Sequence, residues 1–338
     1  MNAAPTRESF RGCIVGQALG DALGFVVEGQ PSEVCRRYVE ERLEGGRLPR
    51  RGRGNFLVGQ YSDDTQLARE LLQSYAASGG FDPEDYARRV RDIFVEGRIV
   101  GGGQSTREAA FRLAEGVSWR ESGTPPPSAG NGSAMRAGPV GLLYNSDTGD
   151  LSRVATEQGI ITHRDERCSA GAVAIAGAVA MAVSGTVERL EFLGRLAELV
   201  RPLEPSFADL LGELSGWPAL PPERAAGRIA PAGIEARHAE AARGWAEITP
   251  FVVPSVLWSL YSFLRSPDDY FQTIRTAIAV GGDVDTTAAM AGAISGAHLG
   301  LEAVPRDLAR KLTDRGSWGF EELCALADEC HDIRSREA

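Results

Sequence analysis

Lysine is nearly absent from this chain of 338 residues: Lys311 is its single lysine, and arginine supplies the remaining strongly basic side chains. The 46 acidic residues outnumber the 36 residues that are lysine or arginine, which gives a formal net charge of −10 at pH 7. Because binding to a phosphate backbone needs a basic face, this balance argues against nucleic acid as the main partner. We therefore expect no nucleic-acid binding.

Cysteine and histidine are also scarce. The five cysteines are scattered, odd in number and form no C-x-x-C pair, and the four histidines form no evident cluster. These absences exclude the common zinc signatures and predict free thiols in a reducing compartment. We expect that compartment to be the cytoplasm.

Long hydrophobic runs are missing as well. The N-terminus, MNAAPTRESF, has no basic start followed by an apolar core, so we expect no signal peptide. The most apolar segment, residues 170–183, consists mainly of Ala and Gly and is shorter than the roughly 20 residues that a membrane span needs. It predicts a buried helix, and we expect no membrane association.

Helical spacing dominates the chain, and no segment of useful length alternates apolar and polar residues as a strand does. Asp82 followed by Pro83 is typical of a helix start. We predict helices over residues 61–78, 81–97, 107–115, 151–159, 168–184, 187–200, 208–215, 235–247, 254–264, 270–279, 286–300 and 306–313. The Gly- and Pro-rich loops are predicted at 44–59, 99–105, 121–133 and 216–232. The fold class that follows is all-α.

The Pro-rich segment 201–232 has three interpretations: an insertion, a surface excursion or a domain boundary. The helical runs on its two sides are alike, which favours a single domain over residues 1–338. No period of 20 to 50 residues indicates a solenoid.

Three acidic clusters are predicted to lie at helix starts. The first, in GQALGDALGFVVEG, contains Asp21 and Glu28; the second is YSDDTQ at 61–66; the third is DVDTT at 283–287. Helix capping explains one acid per helix. It does not explain adjacent acids, because like charges repel and a cap needs one acceptor. A divalent cation would remove the repulsion, because it needs several anionic oxygens at once. A donor set made only of oxygens selects Mg²⁺ or Mn²⁺.

The DVDTT segment also fits D-x-D-x-T, the nucleophile loop of aspartate-based phosphatases. That loop normally follows a strand near the N-terminus, with a lysine and a second acid pair further along. Here it lies near the C-terminus, the other acid pair lies upstream, and the only later lysine is Lys311. We therefore disfavour the phosphatase interpretation. The Ala and Gly run after Thr287 predicts close helix packing, which would bring distant carboxylates to one cavity.

Six motifs, taken together, resemble the ADP-ribosylglycohydrolase family, which includes the dinitrogenase-reductase-activating glycohydrolases. They are GQALGDALGFVVEG (16–29), YSDDTQ (61–66), GGGQST (101–106), GNGSAMRAGPVGLLY (130–144), ITHRD (161–165) and GGDVDTTAAMAGAISGAHLG (281–300). They occur in the family's order, and the resemblance spans residues 12–300. Each motif is weak alone; GNGS by itself is simply a turn.

The resemblance implies a compact all-α fold with two Mg²⁺ or Mn²⁺ ions in a central cleft. The implied metal ligands are Ser62, Asp63, Asp64, Asp283, Asp285 and Thr286, with Ser62 standing where many members have Thr. The implied substrate-binding residues are Gly101, Gly102, Gly103, Asn131, Gly132, Ser133, Met135 and His163. Glu28 matches a glutamate that the family places beside the metals. We expect Asp21 to support structure.

The implied function is metal-dependent hydrolysis that removes ADP-ribose from the side chains of an ADP-ribosylated protein, or from a small ADP-ribose conjugate. Arginine is the favoured acceptor, while serine-linked ADP-ribose, poly-ADP-ribose and O-acetyl-ADP-ribose stay open. The general base is Glu28, Asp63 or Asp64, and the sequence does not choose between them. An alternative of another class is a monomeric protein of the same fold that binds ADP-ribose without catalysis. For either function we expect a monomer.

Overall fold

The computed structural model describes residues 4–44, 52–185, 187–234 and 247–337. The helices are α1 Arg7–Phe25, α2 Ser32–Tyr38, α3 Asp63–Ser78, α4 Pro83–Val95, α5 Gln104–Ala114, α6 Gly138–Leu143, α7 Thr148–Ile160, α8 Glu166–Ala182, α9 Arg189–Val200, α10 Pro205–Leu214, α11 Pro222–Ile229, α12 Val252–Arg265, α13 Tyr270–Ala279, α14 Val284–Leu299, α15 Arg306–Ala309 and α16 Phe320–Glu337. Within the described ranges only isolated β-bridges occur and no sheet forms. The predicted all-α class is confirmed.

Most of the predicted helices are present with shifted ends. Asp82 caps α4 as predicted, because its Oδ1 accepts from the backbone N–H groups of Glu84 and Asp85 at 2.9 and 3.1 Å. The prediction over 306–313 is too long, since α15 ends at Ala309. The prediction over 235–247 falls almost entirely on residues 235–246, which lie outside the described residues.

Five helices differ from the sequence-based assignment. The loop predicted over 216–232 is wrong at α11, where Pro221 and Pro222 begin a helix instead of ending one. Helices α1, α2, α6 and α16 were not among the predicted helices. In α6 the Gly138–Pro139 pair, which is typical of a turn, instead occupies the first helical positions.

Helix α1 carries a glycine at every fourth position, and this stripe lies directly against α14. Its members are Gly12, Gly16, Gly20 and Gly24. A Cβ atom built on Gly20 would lie 2.1 Å from the carbonyl oxygen of Ala288, and one built on Gly12 would lie 2.1 Å from that of Gly296. The two helices are therefore antiparallel with their backbones in contact, which is the close packing predicted from the small residues after Thr287.

Asp21 joins α1 to the start of α3. Its Oδ1 accepts from the N–H of Ser62 at 2.8 Å, and its Oδ2 accepts from the N–H and the hydroxyl of Thr65 at 3.0 and 2.6 Å. Asp21 lies near the C-terminal end of α1, so placing the first acidic cluster at a helix start was wrong. It caps α3 from a neighbouring helix, which agrees with the expected supporting role.

The apolar segment 170–183 lies almost wholly within α8, whose residues from Cys168 to Ala182 are buried. Side chains from α1 to α16 belong to one buried hydrophobic cluster. This continuity agrees with a single domain, which stays a prediction. Among the helices of the described residues, none is both long enough and apolar enough to cross a membrane.

Candidate active site

Two helix starts bring the acidic pairs together. Ser62 is the N-cap of α3, so Asp63 and Asp64 occupy its first turn. Asp283 precedes α14 in the same way, and Asp285 lies in the first turn of that helix. The backbone contact between α1 and α14, and the bonds from Asp21 to α3, hold these two starts side by side.

The carboxylates lie close enough to share cations. One oxygen each of Asp21, Asp64 and Asp285 lie within 4.8 Å of one another, and so do one oxygen each of Glu28, Asp283 and Asp285. Asp285 belongs to both groups. Five acidic side chains therefore lie close together, and within the described residues the only ion pair that any of them forms is that of Glu28 with Arg53.

Burial and mutual repulsion disfavour the charged forms of these acids. Burial raises the pKa of Asp63 to about 7, and the neighbouring negative charge of Asp21 adds to the effect. Burial likewise raises the pKa of Asp283 to about 6. The pKa values of Asp64 and Asp285 lie well above the ordinary range for the same two reasons. A cation between these groups would remove both penalties.

The donor set fits a hard divalent cation. Asp64 Oδ1 is buried and has no hydrogen-bond partner among the described residues. The hydroxyls of Ser62 and Thr286 donate to Asp64 Oδ2 at 2.8 and 3.5 Å, which leaves lone pairs on both hydroxyl oxygens available. Every candidate ligand is an oxygen, the type that Mg²⁺ and Mn²⁺ prefer. Asp21 is less available, because its two oxygens already accept three hydrogen bonds.

Glu28 lies beyond the end of α1 and faces the same space from a half-buried position. Its carboxylate forms an ion pair with Arg53. The Arg53 guanidinium in turn lies over the Phe25 ring, 4.9 Å from its centre. Arg53 has no motif around it in the sequence, because it belongs to the predicted Gly- and Pro-rich loop at 44–59, of which residues 45–51 lie outside the described residues.

All of these acids except Asp21 line a cleft of about 320 Å³, which is within the range of small-ligand sites. The predicted site residues that line it are Glu28, Asp63, Asp64, Gly101, Gly103, Asn131, Gly132, Met135, His163, Asp283, Asp285 and Thr286. It is also lined by residues outside the predicted set, namely Gln104, Ser105, Thr106, Gly130 and Pro250. The first three belong to the GGGQST motif and Gly130 begins the GNGSAMRAGPVGLLY motif, whereas Pro250 belongs to no motif.

Three predicted site residues do not line the cleft. Ser62 lies behind Asp64, to which its hydroxyl donates. Gly102 packs against Phe94, and a Cβ built on this glycine would lie 3.1 Å from the phenyl ring. Ser133 is fully buried and donates its hydroxyl to the carbonyl of Cys168 at 2.8 Å. Its side chain therefore anchors the loop to α8.

The loop of residues 130–133, which begins the GNGSAMRAGPVGLLY motif, contacts both the acidic residues and His163. Asn131 Nδ2 donates to Asp283 Oδ2 at 2.5 Å and to the hydroxyl of Ser255 at 2.9 Å. Its side chain therefore orients a candidate metal ligand, a role that the substrate-binding assignment did not include. Gly132 lies against the ring of His163, since a Cβ on Gly132 would be 2.6 Å from His163 Cε1.

Comparison with known proteins agrees with this arrangement. The model of the ADP-ribosylglycohydrolase family matches residues 2–338. The chain is 30% identical to the ADP-ribosylhydrolase ARH3 of Bos taurus, over 98% of this chain and 94% of the relative. It is 26% identical to the ADP-ribosylarginine hydrolase Tri1 of Pseudomonas putida, over 95% of this chain and 77% of the relative.

A solved structure shares the fold. It is described as an ADP-ribosylglycohydrolase-related protein complex and superposes with a TM-score of 0.71 at 27% sequence identity. The match covers 97% of this chain and 98% of the other. The similarity therefore extends over the whole helical arrangement and is not limited to the acidic helix starts.

Proposed function

The chain belongs to the ADP-ribosylglycohydrolase family, hydrolases of glycosidic bonds, and we propose that it removes ADP-ribose from modified protein side chains. The observation that carries the proposal is the cleft itself. Its lining combines two parts: one holds Asp63, Asp64, Asp283 and Asp285 with Glu28 beside them, and the other consists largely of glycine-rich loops. The first part suits chemistry at a sugar carbon, and the second suits a diphosphate.

We propose that Ser62, Asp63, Asp64, Asp283, Asp285 and Thr286 hold two Mg²⁺ or Mn²⁺ ions. The support is the orphaned Oδ1 of Asp64, the free hydroxyl lone pairs and the close carboxylate oxygens. When bound, such ions would orient the ribose hydroxyls and make a water molecule more acidic. The side chain of Asn131 would keep Asp283 in place while the ions bind.

Hydrolysis transfers a water oxygen to the anomeric carbon of the ribose, breaks the bond to the acceptor atom and returns a proton to that atom. A carboxylate that accepts the proton of the attacking water contributes about 10²–10⁴-fold to the rate. Glu28, Asp63 and Asp64 are the candidates. Asp64 Oδ2 already accepts from two hydroxyls, whereas Asp63 and Glu28 are partly exposed to the cleft, so we favour the latter two.

The glycine loops are proposed to bind the diphosphate. Gly101 and Gly103 precede α5, whose N-terminal N–H groups and dipole favour an anion. The hydroxyls of Ser105 and Thr106 line the same side of the cleft, and Gly132 faces them. Bare backbone lets N–H groups approach the phosphate oxygens, which explains how an acidic protein would bind an anionic ligand.

We propose arginine as the acceptor side chain. A guanidinium leaving group is positively charged, and the cleft presents several carboxylates close to where it would sit. The relative Tri1 carries the name ADP-ribosylarginine hydrolase, while the name of the ARH3 relative specifies no linkage. Serine-linked ADP-ribose, poly-ADP-ribose and O-acetyl-ADP-ribose are the competing substrates.

One assay tests the whole proposal. Peptides that carry ADP-ribose on arginine or on serine, poly-ADP-ribose and O-acetyl-ADP-ribose are incubated with the protein and Mg²⁺, with and without EDTA. We expect release of ADP-ribose from the arginine peptide, abolished by EDTA. Faster release from another substrate would reassign the acceptor. Binding of ADP-ribose without turnover of any substrate would establish the non-catalytic alternative.

The proposal also includes a cell compartment, the cytoplasm, and an assembly state, the monomer. All five cysteines are buried and unpaired, which supports a reducing compartment such as the cytoplasm. We propose in addition that the protein acts as a monomer. Gel filtration with light scattering would test the second statement directly.

A further inference from the structure

His163 presents one edge of its ring to the cleft and the other to the protein interior. The side chain is 3% exposed and lines the cleft. Its Nδ1 lies 2.8 Å from the hydroxyl oxygen of Thr162. Its Nε2 lies on the opposite side, next to the backbone of Gly130 and Gly132, and forms no hydrogen bond with any described residue. Nε2 is therefore the ring nitrogen that has no hydrogen-bond partner within the described residues.

A buried arginine determines what the Thr162 hydroxyl can do. Arg136 is fully buried, and its Nη2 donates to the Thr162 hydroxyl oxygen at 2.8 Å and to the carbonyl of Gln158 at 2.7 Å. Its Nε donates to the side chain of Gln158 at 2.8 Å, which fixes the guanidinium in place. The Thr162 oxygen thus accepts from a cation, and its own proton remains to be donated.

That proton has two acceptors within reach. His163 Nδ1 lies 2.8 Å from the hydroxyl oxygen, and the carbonyl of Gly159 lies at 3.4 Å. The shorter distance favours the imidazole nitrogen, and donation from the charged guanidinium polarises the hydroxyl as a donor. If Nδ1 accepts, the single proton of the neutral ring must be on Nε2.

We propose that Thr162 is a positioning residue that fixes the tautomer of His163, so that Nε2–H is an uncharged donor to an oxygen of bound ADP-ribose. The last step rests on the proposed function, and the tautomer does not. Burial, with the Arg136 charge adding to it, lowers the pKa of His163 to about 3, so the ring is neutral under working conditions. A neutral donor fits a ribose hydroxyl or a phosphate oxygen without attracting the cleft carboxylates.

The tautomer is measured without any ligand. Protein labelled with ¹⁵N-histidine is examined by long-range ¹H–¹⁵N correlation spectroscopy at pH 7 with Mg²⁺ present. The His163→Gln variant identifies which of the four histidine signals belongs to this residue. We expect a protonated Nε2 and a bare Nδ1 in the wild type. A protonated Nδ1 would overturn the proposal.

Two variants separate positioning from folding. Thr162→Val keeps the shape and removes the hydroxyl, whereas Thr162→Ser keeps the hydroxyl. We expect Thr162→Val to show mixed tautomers and to bind ADP-ribose about five- to tenfold more weakly, with Thr162→Ser close to the wild type in both measurements. Equal ADP-ribose affinity in Thr162→Val and the wild type would overturn the positioning role, as would weak binding by Thr162→Ser despite a wild-type circular dichroism spectrum. A wild type with protonated Nε2 that binds no ADP-ribose would overturn the donor role together with the proposed function, while the tautomer assignment would stand.

Discussion

The side-chain amide of Asn131 donates to Asp283 at 2.5 Å, which links the loop of residues 130–133 directly to the acidic start of α14. The two residues are separated by 152 positions in the sequence. Neighbouring residues of one short loop are therefore expected to differ in function. Asn131 supports the proposed metal site, whereas Gly132 supports the ligand side of the cleft.

The first prediction separates these two roles. Gly132→Val should weaken ADP-ribose binding by more than about tenfold, because even the Cβ would lie 2.6 Å from His163 Cε1. Mn²⁺ binding should stay within about twofold of the wild type. Asn131→Ala is the matched comparison and should weaken both, since it releases Asp283. Calorimetric titrations with Mn²⁺ and ADP-ribose, after circular dichroism, measure the two affinities. A parallel loss of both in Gly132→Val would show that this division is wrong.

The second prediction concerns Asp285, which belongs to both groups of close carboxylates. Asp285→Ala should lose most divalent-cation binding and nearly all hydrolytic activity. Added Mg²⁺ should raise the melting temperature of the wild type but not of the variant, because a ligand stabilises only the state that binds it. Asp82→Asn, which alters the cap of α4, is the control and should keep the Mg²⁺ response. A wild type that shows no Mg²⁺ or Mn²⁺ binding by calorimetry would refute the metal site.

The third prediction tests Glu28 as the general base. Glu28→Gln keeps the size of the side chain and should lower kcat on the order of 10²–10⁴-fold, with ADP-ribose affinity within about tenfold. Arg53→Gln removes the ion-pair partner and leaves the carboxylate, so its kcat should fall much less. Steady-state kinetics on the preferred substrate give the comparison. An unchanged kcat in Glu28→Gln would leave Asp63 as the favoured base.

The fourth prediction follows from the pKa of His163, which burial lowers to about 3. The unfolded chain binds this proton near pH 6.5, and the folded protein binds it only near pH 3. The contribution of the neutral ring to stability is therefore present above pH 6.5 and is lost as the pH falls towards 3, by up to about 1.4 kcal/mol per pH unit. When the pH is lowered from 7.5 to 5.5, the wild type should therefore lose about 1 kcal/mol of its free energy of unfolding that His163→Gln does not lose. Urea unfolding at both pH values measures it; a constant difference would contradict a buried neutral imidazole.

The fifth prediction concerns the glycine stripe. Gly20→Ala should reduce the free energy of unfolding by about 1–3 kcal/mol or more, because the added Cβ would overlap the carbonyl of Ala288. Gly194→Ala in α9 and Gly212→Ala in α10 are matched controls, since a Cβ on either meets no atom within 4 Å. These should stabilise by about 0.5–1 kcal/mol through helix propensity. Chemical denaturation measures the free energy of unfolding of the three variants. Equal changes in all three would contradict the backbone contact between α1 and α14.

The acidic pairs were predictable because adjacent like charges at a helix start need an explanation that capping does not supply. The position of Asp21 within α1 could not be predicted. This helix is buried around most of its circumference and shows no clear apolar period from which to find its start. Arg53 and Pro250 reach the site only through tertiary structure. The anchoring of Ser133 to Cys168 depends on α8, which is distant in sequence.

Backbone contact between α1 and α14 also determines which parts of the protein can move to admit a substrate. Helices separated by a layer of side chains slide past one another as those side chains change rotamer. Between Gly20 and Ala288 no such layer exists, so sliding would drive one main chain into the other. The start of α14, which carries Asp285, is consequently fixed in position relative to α1, and any change in the shape of the cleft has to arise elsewhere in its lining.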